Sequence, residues 1–198
     1  MVPDPSARRR RLLDAAEAEF AAHGVAGARL ETIAAAAGAS PRDVEAHYGS
    51  KEQLFDTVVA AAGTRLADEV PLRPDDLPGY AGALFDYVVA HPALLRLTAW
   101  RALERPQHAA ADREAYRRRI LALRAARDDG RLPAVFEPVD LLAIVLAVAT
   151  AWPSISPALA SLAADEPASA EPLAAHRAAV VEAVRRMLAP APVTVPAP

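Results

Sequence analysis

The chain has 198 residues and a formal net charge of −3, a length that supports one compact domain or two small subdomains with a real core. It contains no Cys, which excludes a disulfide scaffold, a Cys-ligated zinc site and a cysteine nucleophile. Apolar residues make up 53%, yet 50 residues are Ala. With β-branched and aromatic residues sparse, this composition predicts an all-α fold whose Ala-rich core holds few large anchors.

Residues 1–7 read as a disordered lead. A first helix is predicted from about Arg8 to His23, with Leu12, Leu13, Ala16 and Phe20 on one face and Gly24 suited to the C′ position. The basic run at its start leads into Leu12 and Leu13 and then Asp14, Glu17 and Glu19, which is not the apolar region of a signal peptide. A second, short helix covers Leu30 to Ala37 and stops at Gly38. A third starts at Ser40-Pro41-Arg42-Asp43, where Ser at N-cap, Pro at N1 and an acid at N3 make a capping-box signal, and runs to about Tyr48. Ser50-Lys51-Glu52-Gln53 is a second such box and opens a fourth helix that reaches Glu69.

Pro71 to Pro78 reads as a linker. Further helices are predicted at about Tyr80–Ala90, Pro92–Glu104, Ala109–Asp129, Val139–Ala151 and Pro172–Ala189. Breaks fall at His91-Pro92, Arg105-Pro106, Gly130, Pro133 and the Pro-rich stretch from Pro153 to Pro172. Leu141 to Trp152 is uncharged and almost wholly apolar, but its 12 residues fall short of the roughly 20 that span a bilayer. No membrane partner is expected, and a cytoplasmic location follows. The expected domains are 6–66, 79–189 and an extended, mobile Pro-rich tail at 190–198.

The segment from Arg29 to Tyr48 carries the most information. Ala34, Gly38 and Val44 have the spacing of a helix-turn-helix. Two short helices crossing steeply need a small residue at the contact, a residue tolerant of left-handed backbone at the turn, and an apolar plug from the second helix. The second helix of such a unit enters the DNA major groove, and here it offers Arg42, Asp43, Ala46 and His47. Arg42 alone among them can fork onto a guanine O6/N7 edge. The start of the next helix, with its free N–H groups and Lys51, suits a phosphate.

On these residues positions 8–60 resemble the DNA-binding domain of the TetR/AcrR family of bacterial transcriptional regulators. The match includes Leu12–Phe20 followed by His23-Gly24, then Thr32-Ile33-Ala34 and Gly38-Ala39-Ser40. It ends on Tyr48-Gly49-Ser50-Lys51-Glu52-Gln53-Leu54-Phe55. The resemblance implies a homodimer with an N-terminal reader and a C-terminal helical ligand-binding and dimerisation domain. It implies a repressor released from near-palindromic double-stranded DNA by a small molecule. It places phosphate contacts on Tyr48, Lys51 and His47 and base contacts on Arg42 and its neighbours, and Arg8, Arg9, Arg10 and Arg11 resemble the family's N-terminal arm. Arg29, Thr32 and Ser40 complete the expected DNA-facing set. The chain departs from the family pattern at Glu45, where Tyr is common, and near Ala28-Arg29, where Thr is common. Residues 1–60 hold 7 basic and 9 acidic side chains, so DNA affinity must come from local placement and not a global field.

In the second half, His91, Arg96, Trp100, Arg101, Tyr116 and Trp152 are the candidate ligand-binding residues, because ligand sites combine apolar walls with a few polar groups. Plain core filling is the alternative. Arg113, Arg117, Arg118, Arg119, Arg124 and Arg127 read as a solvated face paired with Glu114, Asp128 and Asp129. Leu142, Val145, Leu146, Val180, Val184, Met187 and Leu188 are the expected dimer contacts of a four-helix bundle, against the alternative of an intrachain helix pair. No catalytic motif is present, and neither a cofactor nor a metal is expected. The competing function is a helical protein-interaction module of the same fold that no longer reads DNA sequence, a reading supported by Glu45 and the acidic reader.

Overall fold

The structure, a computed structural model, describes residues 5–108, 110–165 and 172–189. Among them are ten α-helices and no strand, as the composition predicts. They are α1 (Pro5–Gly27), α2 (Leu30–Ala37), α3 (Pro41–Tyr48), α4 (Lys51–Glu69), α5 (Leu77–Ala90), α6 (Pro92–Glu104), α7 (Ala110–Asp128), α8 (Pro138–Thr150), α9 (Pro157–Asp165) and α10 (Pro172–Leu188).

Helix α1 starts three residues before the expected Arg8, so Pro5 to Ala7 are helical; the rest of the expected lead and the tail at 190–198 lie outside the described residues. Gly24, at φ 68, breaks α1 at the expected helix end, and a short helical turn continues to Gly27. Helix α9 lies inside the stretch whose prolines predict a break. Its start is capped in the ordinary way: the Ser156 hydroxyl accepts from the Leu159 N–H at 3.2 Å, and Pro157 sits at the first helical position.

The chain forms two compact units. The first comprises residues 1–69 and 91–114, and the second residues 70–90 and 115–198. They differ from the expected domains in the placing of α6, which packs on α1 and α4 inside the first unit. In that unit α1 also packs against α2, and its Leu12, Ala16 and Phe20 are buried. Phe20 and Phe55 meet edge to face, with centroids 5.2 Å apart and planes at 82°. Arg105, just past α6, grips Asp56 of α4 with two hydrogen bonds of 3.0 and 2.7 Å.

In the second unit α5 packs closely on α8 and α10. Leu84 and Phe85 from α5, Leu142 and Val145 from α8, and Val180 and Val184 from α10 are all buried. Four members of the expected dimer set fall within this intrachain core. Leu142, Val145, Val180 and Val184 are at most 7% exposed within one chain, because the apolar faces of α8 and α10 cover α5. Leu146, Met187 and Leu188 remain partly exposed. No described helix is long and apolar enough to cross a membrane.

Candidate nucleic-acid interface

The turn between α2 and α3 is built from backbone geometry. Gly38 takes the left-handed conformation at φ 64, ψ 37; its N–H donates to the Ala35 carbonyl at 3.1 Å, and the Ala39 N–H donates to Ala34 at 2.9 Å. This paired arrangement closes the C-terminus of α2 and turns the chain at once into α3. Ala34 and Val44, the expected contact and plug, are each 1% exposed.

Helix α3 opens on the expected capping box. The Ser40 hydroxyl accepts from the Asp43 N–H at 3.2 Å, and the Asp43 carboxylate accepts from the Ser40 N–H at 3.1 Å. Arg8 of α1 also donates to that carboxylate, at 3.1 Å. The hydrogen bonds from Ser40, ahead of the charge of Arg8, hold the Asp43 carboxyl below the usual carboxylate range. Asp43 is therefore committed to capping and to Arg8, which restrains both residues that the sequence placed against DNA. His47 Nδ1 lies 2.9 Å from the Asp43 carbonyl, which can only accept, so this nitrogen carries the proton.

Lys51, expected on phosphate, donates to the carbonyls of Ala26 and Ala28 at 3.3 and 3.0 Å. It ties the start of α4 to the end of α1, and an ammonium has one further N–H to offer. The second capping box is formed: the Ser50 N–H donates to Gln53 Oε1 at 2.8 Å, and the Gln53 N–H donates to the Ser50 hydroxyl at 3.3 Å. Arg9, Arg10, Arg11, Arg29 and Arg42 are exposed and make no ion pair among the described residues. Thr32, Ser40, Ala46 and His47 are exposed as well, Tyr48 is half-buried, and Glu45 stands exposed on the same helix.

Two side chains of α6 support this region in a way the sequence did not suggest. The Trp100 indole N–H donates to the Ala21 carbonyl at 3.3 Å, before the break at Gly24. After the break, the Glu104 carboxylate accepts from the N–H groups of Val25 and Ala26, at 2.7 and 3.1 Å. These contacts join residues 78 or 79 positions apart, beyond the reach of any local motif. Beside them, Ala21, Ala22, Arg96, Ala99, Trp100 and Leu103 line a shallow recess of about 260 Å³.

The candidate ligand residues do not assemble within one unit. His91, Arg96, Trp100 and Arg101 belong to the first, where Arg101 is buried, and Tyr116 and Trp152 belong to the second. Trp152 stacks on His176 with ring centroids 3.3 Å apart.

Comparison with known proteins agrees with this geometry. Residues 12–58 match the family model described as bacterial regulatory proteins, tetR family, and residues 76–186 match the tetracyclin repressor-like C-terminal domain. The chain is 40% identical over 158 residues to the HTH-type transcriptional repressor SCO4008 of Streptomyces coelicolor, covering 78% of this chain and 82% of the relative. It superposes on the crystal structure of SCO4942 from Streptomyces coelicolor with a TM-score of 0.81 and 40% identity, covering 93% of this chain and 99% of that one. It is also similar to SmeT, the repressor of the Stenotrophomonas maltophilia multidrug efflux pump SmeDEF. There the TM-score is 0.59 and the identity 25%, covering 96% of this chain and 94% of the other.

Proposed function

Because the chain belongs to the tetR family of bacterial regulatory proteins, and so is a DNA-binding transcriptional regulator, we propose that it acts as a homodimeric repressor released from its operator by a small effector. The observation that carries the DNA-reading part is the state of α3. Its capping acid is committed to Ser40 and Arg8, while Arg42, Ala46 and His47 stay exposed. Arg42 forks onto a guanine edge, a contact worth about 1–3 kcal/mol of discrimination. Arg9, Arg10 and Arg11 reach the backbone or minor groove, and Arg29, Thr32, Ser40 and Tyr48 border the groove. The names of SCO4008 and SmeT support repression.

Lys51 has two tasks in this reading: it holds the end of α1 and gives its third N–H to a phosphate. Lys51→Ala is expected to weaken binding to every DNA sequence alike and to reduce the salt slope by about one. It should also lower the melting temperature, because the Ala26 and Ala28 carbonyls lose their donor. A salt slope that stays fixed while the melting temperature falls removes Lys51 from the phosphate contacts.

Dimerisation uses the uncovered flank of α8, with Val139, Ala143, Leu146 and Ala147, together with Met187 and Leu188 of α10. The two readers then meet half-sites about 34–36 Å apart. An effector lowers operator affinity only by binding the DNA-incompetent form better, and a coupling of about 1–3 kcal/mol gives roughly fivefold to 150-fold release.

The test is selection of genomic DNA fragments by the purified protein at two salt concentrations. An enriched near-palindrome that survives the higher salt is expected. Sequence-blind, salt-sensitive binding overturns the reading and favours the interaction module, with exposed Glu45 as the reason.

A further inference from the structure

The acid at the start of α3 carries a charge that its capping task does not need. The Asp43 N–H donates to the Ser40 hydroxyl at 3.2 Å, and its carboxylate accepts from the Ser40 N–H at 3.1 Å. A capping box works as well with a neutral amide at that position. The same chain does so at Ser50, where the neutral Gln53 closes the box. A carboxylate beside a polyanion also lowers affinity, and residues 1–60 already hold more acidic than basic side chains. The charge is explained by a partner that a neutral amide would not hold.

That partner is Arg8. Its Nη2 donates to Asp43 Oδ2 at 3.1 Å, and this is the oxygen that also accepts from the Ser40 N–H. The carboxylate is fixed by α3 and in turn fixes a side chain from α1. Arg9, Arg10 and Arg11 are exposed and make no ion pair among the described residues, which sets Arg8 apart within the basic run. One guanidinium nitrogen faces Asp43, and the others remain to donate elsewhere. The two side chains are 45% and 52% exposed, so a further acceptor can reach them. An arginine held in advance has already lost rotamer freedom, which removes that cost from the binding step.

We propose that Asp43 is a positioning residue for DNA binding. Its charge sets the Arg8 guanidinium beside the first turn of α3, where it meets a backbone phosphate at the edge of the groove that α3 enters. Arg8 thus acts with α3 and apart from Arg9, Arg10 and Arg11. This role rests on α3 being the helix that meets DNA, and it deepens that reading.

The experiment measures the affinity of the full-length protein for a mixed-sequence DNA duplex and for the genomic fragment that selection enriches, across salt concentrations. It compares wild type, Asp43→Asn, Arg8→Ala and the double variant. Asn keeps a carbonyl oxygen for the Ser40 N–H and removes the charge. Arg8→Ala should lower the salt slope by about one for each reader bound. With Arg8 present, Asp43→Asn should weaken binding by roughly twofold to fivefold, the range of an exposed ion pair. With Arg8→Ala, the same change should strengthen binding at low salt, because only repulsion between the acid and phosphate is left to remove. A role confined to the cap would weaken binding in both backgrounds, and a merely repulsive acid would strengthen it in both. Either result overturns the proposal, as does an unchanged salt slope for Arg8→Ala. A wild type that binds neither DNA removes the reading of α3 and the positioning role together. Binding by the wild type without the reversal of sign removes the positioning role alone.

Discussion

Gly24→Ala is expected to destabilise the first unit by about 2–6 kcal/mol, from two costs that act together. At φ 68 and ψ −172, Gly24 occupies backbone space open essentially to glycine, and another residue there costs about 1–3 kcal/mol. A Cβ at this position would also lie 2.7 Å from a Glu104 carboxylate oxygen and 2.8 and 2.9 Å from Trp100 ring atoms. Overpacking of that kind costs about 1–3 kcal/mol more. Neither neighbour can yield cheaply, since Trp100 is bonded to Ala21 and Glu104 to Val25 and Ala26.

The comparison that isolates the second cost is Gly38→Ala. Gly38 also has positive φ, yet a Cβ there would meet nothing within 4 Å. Its loss should stay near 1–2 kcal/mol, the cost of left-handed backbone alone. Urea unfolding of the two variants should place Gly24→Ala at least about 1 kcal/mol below Gly38→Ala. Equal losses would mean that Trp100 and Glu104 swing aside freely, and that α6 does not fix the end of α1. The consequence for function follows from Lys51, which holds the Ala26 and Ala28 carbonyls just past the break. Moving that segment moves the start of α4, so Gly24→Ala should also weaken DNA binding at temperatures where the unit remains folded.

The elements legible in the sequence are those written within a few residues of themselves. Ser40 and Asp43, Ser50 and Gln53, and Gly38 with the carbonyls behind it each close a ring of neighbouring residues. Spacing alone therefore locates α2, α3 and the start of α4, and the Ala34–Gly38–Val44 pattern gives their crossing. What the sequence could not give is the partner of a side chain whose reach is set by the fold. Asp43 reads as a cap and as a group offered to DNA, and only the fold brings Arg8, 35 positions away, beside it. Lys51 reads as a free cation until the end of α1 arrives. For α10, spacing put Val180 and Val184 on one stripe, and both are buried, but a stripe does not say whether its cover is α5 or a second chain. Arg119 belongs to the same class: a run of arginines looks solvated from any one helix, yet this one is half-buried.

Phe55→Ala is expected to cost about 3–5 kcal/mol, a large part of the roughly 5–15 kcal/mol that stabilises an ordinary domain. The reason returns to composition. In the first unit Phe20 and Phe55, both fully buried, share a core with the buried Ala16, Ala34, Ala37 and Ala62. Alanine has no rotamers with which to fill a vacated ring, so the cavity stays open, and cost rises with residual cavity volume. The edge-to-face pair adds about 0.5–1.5 kcal/mol beyond burial, and it too disappears. Helix α4 packs on α1, and this pair joins the two helices, with Leu54 and Val58 of α4 also buried. The variant should lose operator binding on warming through unfolding and not through lost contacts. At low temperature its folded fraction should keep the wild-type salt slope, because no DNA-facing group has changed. Phe55→Leu, which retains most of the volume, should cost less than half as much. A loss under about 1 kcal/mol for Phe55→Ala would mean that the alanine shell collapses onto the gap, and that stability is spread evenly along the helices instead of resting on a few large side chains.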